Sequence, residues 1–434
     1  MRYPRLSSSL VSWVLALTPT LFISSSSSLA EKGSENESYP GRDWPQFRGP
    51  NRDGISAETG WTKDWPKEGL ERLWKAKVGT GYSGIVVAGD RAYTMGRKRN
   101  KDAVYCLSTE TGKVLWDYVY KAEMFDTNHD GGPASTPTVD GERVYTLSRE
   151  GQLHCFNAVD GELIWEIEAA ELLSLKSHVF GFVTSPLIDG DQLILDLGIV
   201  LSLSKETTEA IWNSEPYPPS YGSPVPFELD GQPLLISFNE YGPVVLNRNT
   251  GAEIQKTRWE TWSGVNAVTP VLSGNRFFIS SGYGTGGAVF EVQPPSVAEV
   301  PSATQQSTNE LKLVWRNKNM SNHFSTSVLW EGYLYGFDEA TFKCLDFDTG
   351  EEQWLMEGFG KGSVSLADGH LLLLSERGEL ILARPTPEGF DGLALDHVLG
   401  GQSWTPPILS HGRIYCRNSK GDIVCLDVRP NPDS

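Results

Sequence analysis

Ten residues stand where a loop gives way to a short apolar run: Tyr82, His129, Asp130, Tyr221, Trp262, Asn266, Asn322, His323, Lys361 and Trp404. Phe182 holds the same place in a further copy. If those runs line one channel, these side chains ring its mouth. Aromatic rings supply contact area and a few polar groups fix orientation, which is the composition of a binding mouth. Cleavage of a glycosidic bond needs two carboxyl groups. The set offers one, Asp130. It therefore predicts recognition of a peptide, a glycan or a small polar ligand rather than proton-transfer chemistry.

Other reactive patterns are weak. There is no Cys-x-x-Cys, no His-Glu-x-x-His and no Gly-x-Ser-x-Gly. Asp346-Phe-Asp348-Thr-Gly350-Glu351 begins like a calcium loop but lacks the later Glu ligand, so it is expected to be a turn. Gly282-Tyr-Gly284-Thr-Gly286 follows an apolar run and precedes no helical pattern, so a loop is expected there. The chain has five cysteines, of which Cys106, Cys155, Cys344 and Cys425 share one repeat position and are expected in the core. Cys416 and Cys425 flank the last hairpin, which leaves a cross-strand disulfide open.

The elements that must position the mouth announce themselves by repetition. The phrase at 106–116, Cys-Leu-Ser-Thr-Glu-Thr-Gly-Lys-Val-Leu-Trp, returns at 155–165 and at 344–354. Upstream of each phrase lies a glycine turn between apolar runs. Eight such glycines follow one another: Gly89, Gly141, Gly190, Gly231, Gly274, Gly332, Gly369 and Gly412. Asp-Gly between alternating apolar runs is a hairpin signal, because the turn needs positive φ. Residues 135–165 spell out one unit as four short strands. Eight units of four strands describe an all-β, eight-bladed propeller. The last unit lacks its outer Trp strand, and an orphan strand near the other end, 72–78, supplies one. Closing the ring this way leaves no unpaired edge. Trp74, Trp116, Trp165, Trp212, Trp315 and Trp354 fall at the outer-strand position and are expected to pack between blades. The fourth unit carries Gln255 there and the seventh carries no Trp.

Bulk properties agree with an exported body. Of 434 residues 39% are hydrophobic, and the formal net charge is −18. So acidic a surface disfavours nucleic acid and anionic membrane as partners. Arg2 and Arg5 precede an apolar core at 10–23 and a small-residue site at Ser28-Leu29-Ala30, the pattern of a signal peptide over 1–30. That core is short for a membrane span. Residues 31–42 are expected to form a polar leader, 43–71 a lead-in, 72–434 the propeller, and 293–310 a Pro/Ser/Gln-rich loop within it. The expected destination is the periplasm or the medium.

The small-x4-Thr/Asp-Gly-x3-Trp repeat resembles that of the PQQ-repeat, quinoprotein-dehydrogenase-like propeller family, across about residues 72–428. The segment 43–54, Asp-Trp-Pro-Gln-Phe-Arg-Gly-Pro-Asn-Arg-Asp-Gly, is similar to the lead-in of exported bacterial members. The resemblance implies one of two lives. Some members are dehydrogenases that use PQQ with calcium, a catalytic Asp and commonly a disulfide between adjacent cysteines. Others are scaffolds without a cofactor, such as the propeller lipoprotein of the outer-membrane β-barrel assembly machinery. No adjacent cysteine pair is present, and no acidic and amide set matches the dehydrogenase pocket. The favoured expectation is a binding or scaffold module for a protein or glycan, with no cofactor, metal or catalytic residue. The alternatives are a PQQ- and calcium-dependent or other oxidoreductase and, on fold analogy alone, a polysaccharide hydrolase or lyase.

Overall fold

A computed structural model describes residues 41–123, 129–176, 179–294 and 310–430. The expected signal peptide, all but two residues of the leader, and most of the 293–310 insert lie outside the described residues.

Eight blades of four antiparallel strands each follow one another, the seventh joined by a further lead-in strand: 86–121, 138–168, 187–213, 225–256, 271–317, 328–356, 363–397, and 408–427 completed by Arg72–Lys77. These are blades one to eight. The closing strand sets Trp74 opposite Cys425, the register that sets Trp116 opposite Cys106 in blade one. All eight repeat glycines have positive φ. At Asp230, Glu331, Asp368 and His411 the preceding residue is left-handed too, the paired geometry of a tight two-residue hairpin turn.

The repeat phrase has a packing logic. In four blades a Tyr, a Cys and the Trp lie side by side on three neighbouring strands, as in Tyr93, Cys106 and Trp116. The small Cys lets the flanking rings approach across it, with centroids 5.9 Å apart in blades one, two and eight and 6.1 Å in blade six. Each Trp then reaches the next blade. The indole N–H of Trp74, Trp116, Trp165, Trp315 and Trp354 donates to the carbonyl of Thr109, Ala158, Lys205, Phe347 and Thr386. Trp212 donates instead to Gln192 of its own blade. The glycine of the next phrase lies flat on that ring. A Cβ on Gly112, Gly161 or Gly350 would stand 2.5–2.6 Å from ring carbons of Trp74, Trp116 or Trp315.

The degenerate blades replace the Trp differently. In blade four Gln255 accepts the backbone N–H of Gln293 in blade five. At blade seven, Trp61 and Leu70 of the lead-in enter the core shared by Leu382, Ala394, Ile414 and Cys416. Trp61 is thus supplied from outside the repeat.

The sequence leaves a Cys416–Cys425 disulfide open, and the structure does not form it. Cys416 pairs in register with Val424, and Cys425 with Tyr415. The two cysteines sit in different core clusters, one on each face of the last sheet, and cannot bridge. All five cysteines are free and buried. Burial pushes the Cys106, Cys155, Cys344 and Cys425 thiols up to about 12, so none is a poised nucleophile. The 346–351 segment is a turn: Asp346 Oδ1 accepts the N–H of Asp348 and of Thr349. No described helix is long and apolar enough to cross a membrane.

Candidate functional site: the channel mouth

The first strands of the blades face the channel, and a belt of hydroxyls joins their ends. Gly84 N–H donates to Thr136 Oγ1, Thr136 N–H to Ser185 Oγ, Ser185 N–H to Ser223 Oγ, and Thr269 N–H to Thr326 Oγ1. Each bond spans adjacent blades, so the loop before one strand is held by its neighbour.

The lead-in closes one end. Trp44 exchanges backbone bonds with Val87 of blade one, and Pro45 O accepts the N–H of Val139 in blade two. Ile55–Ser56 adds a parallel strand to Ser363–Ala367 of blade seven. Arg52 donates to the carbonyls of Ser185 and Pro186, and Arg48 to those of Thr326 and Ser327. The segment is tied to opposite sides of the ring.

The other end opens into a cavity of about 300 Å³, within the size range of small-ligand sites. Tyr82, His129, Tyr221, His323 and Trp404 of the sequence-derived set line it. So do Phe47, Arg48, Phe180, Tyr283 and Phe324, which sequence reasoning missed. The rings form a connected run. It passes from Tyr221 through Phe180, His129, Tyr82, Trp404, Phe324, His323 and Tyr283 to Trp262, with successive centroids 4.3–5.8 Å apart. Trp262 is 67% exposed and Tyr283 50%, so the run ends on the outer rim.

The remaining sequence-derived residues separate by role. Asp130 accepts from Ser419 Oγ at 2.6 Å, and its N–H meets the Tyr82 hydroxyl at 3.2 Å. Asn266 and Asn322 are buried, and their amides donate to the carbonyls of Asn239 and Phe337. They fix loops and do not line the cavity. Phe182 is likewise core, between blades two and three, and Phe180 two residues earlier takes the lining place. Lys361 sits on the rim with its ammonium 2.7 Å from His323 Nδ1 and 2.9 Å from Glu339 Oε2.

Burial, then the Lys361 charge, hold the His323 imidazole below its ordinary value, against the pull of Glu339. Burial works to raise Glu339, yet Lys361, the Tyr283 N–H and His323 outweigh it and leave the carboxylate below the usual range. Both shifts favour a neutral imidazole at His323 beside an ionised Glu339. Burial pushes the Tyr82 phenol up to about 12, so it stays a neutral donor and acceptor. Among the described residues, no three His, Cys, Asp or Glu converge on a position that could hold a metal ion.

A family model described as outer membrane protein assembly factor BamB matches residues 57–215 and 121–356. The outer membrane protein assembly factor BamB of Yersinia pestis is 29% identical over 110 residues, which is 24% of this chain. The match spans 28% of that protein's length. Among solved structures, BamB from Moraxella catarrhalis superposes with a TM-score of 0.60 at 14% identity, over 82% of this chain and 99% of that one. A europium-containing methanol dehydrogenase superposes with a TM-score of 0.62 at 12% identity, over 88% and 89% of the two chains. Both superpositions speak for the fold alone.

Proposed function

We propose that this chain, which belongs to the PQQ-repeat family described as outer membrane protein assembly factor BamB, is an exported binding module whose channel mouth receives a segment of a partner protein. The supporting observation is the mouth itself. One end of the channel is closed by the chain's own lead-in, and the other carries a connected run of aromatic rings that ends on exposed Trp262 and Tyr283. Aromatic side chains dominate the energetics of protein contacts because they bury large rigid surfaces at low entropic cost. The likeness to assembly factors supports a protein partner, and the acidic surface favours neither nucleic acid nor anionic lipid.

The dehydrogenase reading fares worse on residues. A calcium ion beside a quinone needs converging carboxylate and amide oxygens. At this mouth Asp130 is bonded to Ser419 and Glu339 to Lys361, while the amides of Asn266 and Asn322 hold backbone carbonyls away from the cavity lining. The donor set does not fit that pair, and no catalytic step is assigned.

Selection of displayed random peptides on the purified protein tests the reading. Enriched peptides are expected to lose at least tenfold in affinity to the Trp404→Ala and Phe324→Ala variants, about 1.4 kcal/mol or more. Enriched peptides that bind both variants as well as the parent would refute the mouth as the site.

A further inference from the structure

The floor of the mouth is cationic, although the chain as a whole carries a charge of −18. Arg48 lines the cavity and is 6% exposed. Among the described residues no carboxylate oxygen lies within ion-pairing distance of it. Its guanidinium is held by neutral carbonyls: Nε donates to Arg52 O, one terminal nitrogen to Thr326 O, and the other to Asp53 O and Ser327 O. A guanidinium has five N–H groups. These four bonds leave one N–H, on the nitrogen facing Thr326, and Thr326 itself lines the cavity. Behind Arg48 stands Arg52, 3% exposed and bonded to Gln46, Pro186 and Ser185 without a carboxylate. Asp53 lies near enough to act on Arg48 electrostatically, but its Oδ1 accepts the Ile55 N–H. Burial holds Arg48 down at about 10, and burial with the Arg48 charge holds Arg52 at about 9, both still cations at neutral pH. Two buried like charges raise the potential of the space above them, and an anion entering that space relieves it.

The walls above the floor are apolar and aromatic: Phe47, Phe180, Tyr221, Phe324 and Trp404. The rim cation, Lys361, is already ion-paired with Glu339, so the floor is where a guanidinium without a contacting carboxylate meets the cavity.

We infer that the cavity takes a carboxylate carried on an apolar body, with the anion toward Arg48 and the body between the aromatic walls. This rests on the mouth being the binding site. The same chemistry has two sources, a free aryl- or alkyl-carboxylic acid and the carboxy-terminus of a peptide that ends in an apolar residue. Charge-assisted hydrogen bonds to a desolvated guanidinium discriminate strongly against a neutral isostere.

The test uses the intact protein and four probes: 3-phenylpropionate, 3-phenylpropanamide, and the peptide Ala-Gly-Ala-Gly-Phe with its carboxy-terminus free or amidated. Binding is followed by the fluorescence of tryptophan, since Trp404 is in the wall. The acid of at least one pair is expected to bind at least tenfold tighter than its amide, and Arg48→Gln to remove that preference. Preference in the phenylpropionate pair alone assigns the free acid, and preference in the peptide pair assigns the chain end. Arg48 also ties the plug to the ring, so its variant can fail to fold. The acid-to-amide ratio on the unmodified protein then decides by itself. Amides that bind as tightly as acids, or acids that do not bind at all, would overturn the inference. Amides of both pairs that match their acids, alongside selected peptides that still need Trp404, would overturn it while leaving the mouth as the binding site.

Discussion

The glycine of the repeat phrase is there because a tryptophan face leaves no room for anything else, and blade two allows this to be measured cleanly. Gly161 has φ +77°, and a Cβ on it would stand 2.5, 2.7 and 2.8 Å from three atoms of the Trp116 ring. Gly141, in the first hairpin of the same blade, has φ +56° with nothing within 4 Å. Alanine at either site meets the left-handed penalty, roughly 1–2 kcal/mol. Only at Gly161 must the ring also move, and Trp116 is held by its bond to Ala158 O and by contacts with Tyr93 and Phe156. Forcing a methyl into packed surroundings adds about 1–3 kcal/mol. Gly161→Ala is therefore expected to cost about 2–5 kcal/mol and Gly141→Ala about 1–2 kcal/mol, read from urea midpoints at constant slope. If the two variants were equally destabilised, the ring would not set the glycine and the packing account of the repeat would be wrong.

Other outcomes follow from buried polar groups. His154 is fully buried and held down to about 4, with Glu166 at 3.9 Å too remote to offset burial. Above pH 6.5 it is neutral folded and unfolded. As pH falls from 6.5 towards 4 only the unfolded chain takes up the proton, so stability drops by up to about 3 kcal/mol, and His154→Phe should flatten that part of the stability–pH curve. Asp102 meets Arg97 at 2.7 Å with both side chains buried. Asp102→Asn leaves the guanidinium unpaired and is expected to cost about 3–5 kcal/mol, while Arg97→Met with Asp102→Leu recovers most of it in denaturant titrations. A thiol reagent should label no cysteine of the native protein and all five after unfolding, even after exposure to oxidant. Loss of two thiols under those conditions would contradict the placement of Cys416 and Cys425 on opposite faces.

The ring was legible because its signals are local. Eight positive-φ glycines and a Trp ten residues after a small residue are turn chemistry and cross-strand register written in sequence. The orphan strand at 72–78 was legible as the complement of a blade that stopped one strand early. The mouth was legible only in outline. Its loops have no periodicity, so nothing separated Phe180, which lines the cavity, from Phe182, which is core. Asn266 and Asn322 were found at a repeating position whose task is to bind backbone carbonyls, which composition cannot distinguish from binding a ligand. Phe47, Arg48 and Trp61 were hidden because the lead-in acts through pairings far along the chain, as from Arg52 to Ser185 and from Arg48 to Ser327. Ile55–Ser56, two residues long, finds its partner in blade seven. Tyr283 comes from the glycine-rich loop expected at 282–286, between the second and third strands of blade five, where no count of loops preceding first strands would look.

The most direct measurement is site-specific photocrosslinking in the producing cell. A benzophenone amino acid placed at Trp262, exposed on the mouth rim, is compared with one at Leu395, 59% exposed on the outer edge of blade seven. A discrete protein adduct from position 262, lost on adding Trp404→Ala, with none from 395, is the predicted result. A discrete adduct from 395 and none from 262 would place the partner on the blade edge and contradict the claim that the mouth is where this propeller binds.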